Sequence, residues 1–292
     1  MKLLLFSTLR WLERRLSVRS LYWIVVGYAS GRSALKPKLS AVTLPALLVT
    51  ETSGQTIRTT RVEYFLHQML EHFPDRLAEP KWTSLCRIEG LDHVLQARRN
   101  GRPIVFAFLH AGPYRLSRFW LRAIGVPAAT LVAGKAEQRT EFERLRDGLS
   151  PFSEIPTAFY LNQLRKVSEF LAAGNSLLVA IDHRAGKQMN VPIGEGWTFQ
   201  MAVGAVRLAI RHRAELIPFV ILHEGHWRFQ IKLGRPVPAN YLAGEVDLIH
   251  AGKHLLDEML PHFRTHPRQC TARMVSHLLP TPLTNPDGRS PE

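Results

Sequence analysis

The stretch Pro103–Leu109 (PIVFAFL) constrains what this chain can fold into more than any other. It is apolar without alternation, and turn residues bound it, Asn100-Gly101 before and Gly112-Pro113 after. A run of that kind reads as a strand buried on both faces, as strands are in a parallel sheet. The pattern recurs at Ala128–Val132, Leu177–Ile181 (LLVAI), Glu215–Leu222 (ELIPFVIL) and Arg228–Leu233 (RFQIKL). Helical patterns fall between these runs: Gly90–Arg99, with Leu91, Val94 and Leu95 on one side, then Pro113 to about Ile124, Glu137–Leu149, Leu161–Ala173 and Phe199–Arg211. Strands alternating with helices predict an α/β fold with a mostly parallel central sheet flanked by helices.

The length of 292 residues suits one large α/β domain, and 46% hydrophobic residues supply a core and exclude wholesale disorder. The expected organisation is an N-terminal helical segment over residues 1–40, an α/β domain over 41–280 and a disordered Pro/Gly-rich tail over 281–292. Two cysteines, Cys86 and Cys270, exclude a disulfide framework and a four-cysteine zinc site. Lys and Arg exceed Asp and Glu by 38 to 24, a net charge of +14, which calls for an anionic partner: a nucleic acid, a phospholipid surface or an acidic substrate.

The N-terminus favours the phospholipid surface. Leu5, Leu9, Leu12 and Leu16 recur at helical spacing, with Lys2, Arg10, Arg14, Arg15 and Arg19 available to headgroups. The longest apolar stretch, Leu21 to Ala29, is nine residues, against about 20 needed to span a bilayer. With Tyr22, Trp23 and Tyr28 beside the arginines, the segment reads as an amphipathic helix lying in an anionic interface; the plainer alternative is a helix packed on the domain. Nucleic-acid binding rests on net charge alone, with no recognised module, and is not expected.

Ligands of open parallel sheets bind outside the carboxyl ends of the strands. The strand ending at Leu109 delivers His110 and then a helix start; the strand ending at Ile181 delivers Asp182, His183 and Arg184. A histidine so placed can serve as a general base while helix-start N–H groups hold an anion. Competing motifs are poor. Gly194-Glu195-Gly196 lacks the Lys-Ser/Thr of a phosphate loop, and no Gly-x-Ser-x-Gly occurs. His223-Glu224-Gly225-His226 has the wrong spacing for a zinc helix, and His250 with His254 lacks a third ligand, so no metal or cofactor is expected.

The segment Ile88–Arg115 (IEGLDHVLQARRNGRPIVFAFLHAGPYR) resembles the bacterial lipid A biosynthesis acyltransferases of the lysophospholipid acyltransferase superfamily. Those proteins carry a GLEHL-like helix, a glycine-containing turn, an apolar strand and a His-x4-Asp/Glu motif. Further matches follow in order: Asp182-His183, Val191–Gly204 (VPIGEGWTFQMAVG) and Ala214–Phe219 (AELIPF). The resemblance implies acyl transfer from an acyl carrier protein or coenzyme A thioester, as co-substrate, to a hydroxyl or amine of a lipid or amphipathic acceptor. The cytoplasmic face of a bacterial inner membrane is the expected location. It implies His110 as general base, with N–H groups near Gly112 helping to hold the oxyanion and Tyr114 and Arg115 shaping the donor site. Arg184 and Glu195 complete the expected substrate-binding set.

One position departs from that pattern. Five residues after His110 the family has an acidic residue, and here Arg115 stands. Arginine has donors only and cannot accept an imidazole N–H. Three readings are open: another carboxylate, Asp182 before Glu195 or Glu137, partners His110; Arg115 binds the donor's phosphate and His110 acts without a carboxylate; or the chain is a catalytically degenerate homologue that binds lipid or a partner. For Asp182 the plain alternatives are a helix cap or a surface ion pair with Arg184.

Overall fold

The computed structural model describes residues 15–35, 62–69, 86–133, 158–194, 196–242 and 248–281, with isolated positions between 8 and 48. The helix expected at Glu137–Leu149, the residues Leu5, Leu9 and Glu195, and the tail after residue 281 lie outside the described residues.

The Pro103–Leu109 run forms β2 (Ile104–Phe108), buried at every position. Its neighbours are β5 (Ser176–Ala180) and β8 (Glu215–His223), both parallel to it, with Ile104 in register with Ser176 on one side and Glu215 on the other. Beyond β5 the sheet continues through β3 (Ala128–Val132) and β4 (Ala158–Tyr160), again parallel. Beyond β8 it reverses: β9 (Phe229–Leu233) returns antiparallel, and β1 (Cys86–Glu89) runs parallel to β9 at the edge. The order is β1-β9-β8-β2-β5-β3-β4.

Because successive strand side chains point to opposite faces, β2 supplies two cores. Ile104, Phe106 and Phe108 face one layer, which holds α1 (Val18–Leu35), α2 (62–69), α3 (Leu91–Arg99) and α4 (Ser117–Ala123). Val105, Ala107 and Leu109 face the other, with α5 (Leu164–Ala172), α6 (Gly204–His212) and α7 (Leu248–Thr265). Two-sided burial is why β2 shows no polar alternation.

One expectation needs correction. Phe199 does not begin a helix; it lies in β7 (Trp197–Ala202), which pairs antiparallel with β6 (Gln188–Gly194) and, across it, with β10 (Leu278–Pro280). Phe199 and Met201 are buried while Thr198 and Gln200 are only partly so, a period of two that the small residues Ala202, Gly204 and Ala205 blur in the sequence. The helix starts at Gly204.

The helix α1 is packed into the fold through Leu21, Tyr22, Val25 and Ala29, all buried. Its opposite side exposes Trp23, Ile24 and Tyr28, so it keeps an apolar surface after its core-facing positions are satisfied. No described helix is long and apolar enough to cross a membrane.

Candidate active site

Three adjacent parallel strands, β8, β2 and β5, end on the same edge of the sheet, where ligands of such folds bind. They carry His223, His110 and Asp182 respectively at or just beyond their last residues.

His110 and Asp182 meet. The Nδ1 of His110 lies 2.8 Å from Oδ1 of Asp182, and the backbone N–H of His110 donates to Oδ2 at 2.8 Å. The carboxylate therefore grips residue 110 twice, fixing both the chain and the ring. Asp182 is fully buried, which excludes a surface ion pair with the exposed Arg184. A buried carboxylate accepting from Nδ1–H places the lone pair on Nε2, the tautomer a general base needs. That Nε2 lies 3.2 Å from Nη1 of Arg273, which can only donate. The edge of the Tyr114 ring flanks the imidazole, with centroids 4.7 Å apart.

A sharp turn carries the chain from His110 to the next helix. Gly112 has φ +59, and a Cβ there would stand 2.3 Å from the carbonyl oxygen of Ile221, so the position requires glycine. The helix expected from Pro113 starts later: Tyr114–Leu116 form a 3₁₀ turn, and α4 begins at Ser117. The Gly112 N–H itself donates to the carbonyl of Gln269 at 2.8 Å and is committed to holding the turn. Arg115 Nε donates to the Tyr114 hydroxyl at 3.2 Å, and its guanidinium lies over the Tyr114 ring. It lines a small pocket with Tyr64, Tyr114, Arg268 and Thr271. His183 is turned into a local bend, its Nδ1 accepting from Ala185 N–H; burial pushes its imidazole down, and Arg273 and His110 push in the same direction.

Residues that sequence reasoning missed come from the C-terminal part of the chain. Thr271 caps α8 (Ala272–Val275) and donates its hydroxyl to the His110 carbonyl. Arg273 lies in that helix. Gln269, buried, accepts from the His223 N–H at 3.0 Å and donates to the His223 carbonyl at 2.7 Å, while its own carbonyl holds Gly112. A four-residue helix leaves no periodic signal by which these positions could have been found.

A second cluster lies at the end of β8. Glu63 and His67, one turn apart on α2, meet His223: Oε2 of Glu63 is 3.1 Å from Nε2 of His67 and 3.7 Å from Nδ1 of His223. Burial pushes the Glu63 carboxyl up, but the two imidazoles outweigh it and hold the group well below the usual carboxylate range. Burial pushes the His223 imidazole down, with Glu63 opposing the shift. By contrast His250 and His254 do not share a site: His250 stacks on Tyr241, and His254 contacts the Arg235 carbonyl.

Residues 52–237 match the family described as bacterial lipid A biosynthesis acyltransferase. Among curated proteins none matches the chain.

Proposed function

Since the chain belongs to the bacterial lipid A biosynthesis acyltransferase family and is an acyltransferase acting between an acyl donor and a lipid acceptor, we propose that it transfers a fatty acyl group from an acyl carrier protein or coenzyme A thioester to a hydroxyl or amine of that acceptor, with His110 as general base and Asp182 in place of the family's missing acidic partner. The observation that carries this reading is the buried, doubly bonded His110–Asp182 pair.

The acceptor's X–H proton passes to Nε2 as X attacks the thioester carbonyl. The carbonyl π electrons move to oxygen, and Asp182, bonded to Nδ1–H, stabilises the imidazolium. Collapse breaks the C–S bond, and the departing thiolate takes the proton from Nε2, which balances the cycle. Because the Gly112 N–H is already committed, the guanidinium of Arg273, beside Nε2, is the group we assign to the oxyanion. Its contact with Nε2 gives way to the acceptor when substrate binds. Arg115 and Arg268, on the rim of the neighbouring pocket, suit the phosphates of a phosphopantetheine donor. Glu195 and Glu137 lie outside the described residues, and Arg184 is exposed.

We further propose that α1 docks the enzyme on an anionic membrane surface. Trp23, Ile24 and Tyr28 supply the exposed apolar side, and Arg15 and Arg19 are exposed beside it. Arg115 in the place of the family's acidic residue is what speaks for the degenerate reading; the buried, aligned His110–Asp182 pair favours the catalytic one.

The deciding measurement is acyl transfer by purified enzyme to a lipid A precursor from labelled acyl thioesters. His110→Ala and Asp182→Asn are expected to lower kcat by about 10²–10⁴ with folding intact. Wild-type rates in a folded His110→Ala protein would refute the assignment.

A further inference from the structure

We infer that Glu63, His67 and His223 form a binding site for a divalent transition-metal ion, Zn²⁺ in the first place, at the end of β8. The site is independent of the acyl-transfer chemistry proposed for His110.

The three side chains converge: Glu63 lies within ion-pair distance of both histidines, yet neither ring is aligned on it for a hydrogen bond. One ligand atom from each residue lies within 4.8 Å of the other two. The separations from Oε2 of Glu63, 3.1 and 3.7 Å, bracket the roughly 3.3 Å expected between N or O ligands about 2.0–2.1 Å from a tetrahedral ion. Were this a histidine–carboxylate pair, a ring N–H would be aligned on the carboxylate, as it is in the His110–Asp182 pair. Here Oε2 of Glu63, Nε2 of His67 and Nδ1 of His223 are all buried, yet none has an aligned hydrogen-bond partner among the described residues. Three buried polar atoms aimed at one another, in ion-pair contact but without an aligned hydrogen bond, are incompletely satisfied. A cation between them satisfies all three.

The donor chemistry fits. Two imidazoles and one carboxylate are a ligand set of zinc sites that keep a fourth position for water or another atom. Oxygen-seeking Ca²⁺ and Mg²⁺ do not suit two imidazoles. The ligands are also held for the task. Glu63 and His67 share one face of α2 by their i, i+4 spacing. His223 is fixed at its backbone by both ends of the Gln269 amide. An ion reaches the site from the pocket that His67 lines together with Gly112 and Arg115. Once bound, it ties α2 to the sheet edge and, through Gln269, to the turn that carries His110.

The test uses the full-length protein in detergent, stripped with a chelator and titrated with Co²⁺, whose visible absorption reports a low-symmetry nitrogen and oxygen site. One equivalent of Co²⁺ displaced by Zn²⁺ is expected, together with a rise in Tm on adding Zn²⁺. In His67→Gln and His223→Gln, affinity is expected to fall by more than the roughly 10–100-fold that even an outer partner of a metal site contributes. Failure of the wild-type protein to take up the ion, or equal uptake by His67→Gln, overturns the inference. Should the buried His223→Gln variant not fold, the exchange titration of wild type and the His67→Gln comparison decide between these outcomes.

Discussion

Two histidines leave neighbouring strands of the same sheet, and their surroundings make them different instruments. His110, beyond β2, has both its backbone N–H and its ring nitrogen aligned on one carboxylate, each at 2.8 Å. His223, at the end of β8, has a carboxylate 3.7 Å from Nδ1 and no aligned bond to it. Aligned, the pair holds a proton in place and leaves one lone pair ready to receive another. Unaligned, the lone pairs converge on a common point, which is where a cation sits. The strand end supplies position in both cases; the direction of the partner's approach decides the chemistry.

The comparison is broken most forcefully at Asp182. Asp182→Asn keeps an oxygen for the His110 N–H but removes the charge, and kcat in the acyl-transfer assay should fall by about 10²–10⁴ while circular dichroism stays native. A milder loss than tenfold would mean that the aligned pair is structural.

Next comes the contact between the two regions. Gly112 packs against Ile221, two residues before His223. Gly112→Ala combines a left-handed φ with a Cβ 2.3 Å from a carbonyl oxygen, and a loss of about 3 kcal/mol is expected in denaturant unfolding. Gln269→Ala should cost about 2–4 kcal/mol, because it strands the buried N–H and carbonyl of His223. It should also weaken both acyl transfer and Co²⁺ uptake, whereas Asp182→Asn should weaken the first alone.

Arg115→Glu tests the pocket rim. Stability should change by less than about 0.5 kcal/mol, as at most exposed positions, while KM for the thioester donor rises about tenfold from the loss of one charge-assisted contact. The smallest effect concerns Cys270, between Gln269 and Thr271. Burial pushes its thiol up to about 12, so at pH 8 the thiolate fraction is about 10⁻⁴ and alkylation of native protein should be negligible until it unfolds. Rapid labelling would place a reactive thiol between the two regions and undo the division of roles described above.

Much of the fold is legible in the sequence, for a physical reason. Strands buried on both faces cannot alternate, so β2, β5 and β8 stand out as near-continuous apolar runs. The same runs point to the residues that follow them, which is why His110 and Asp182 stand out together as strand-end residues. The β6–β7 hairpin is hidden because alanines and glycines at its end satisfy helical spacing as readily as strand spacing. Thr271, Arg273 and Gln269 are hidden because they sit in short C-terminal turns with no period to read. The Glu63, His67 and His223 cluster escapes for a different reason. A metal motif confined to one helix, the kind that His223–His226 fails to match, does not represent ligands drawn from a helix and a distant strand end.

The strand order has a consequence in time. As the chain emerges from its amino terminus, β2 is made first among the three strands that define the site, yet its partners begin only at Ser176 and Glu215. Until then a fully apolar ribbon has neither edge paired and neither face covered by the later helices of its own domain. Synthesis therefore includes an interval in which this apolar strand waits for its sheet partners, and slower translation between residues 109 and 176 would lengthen that exposure.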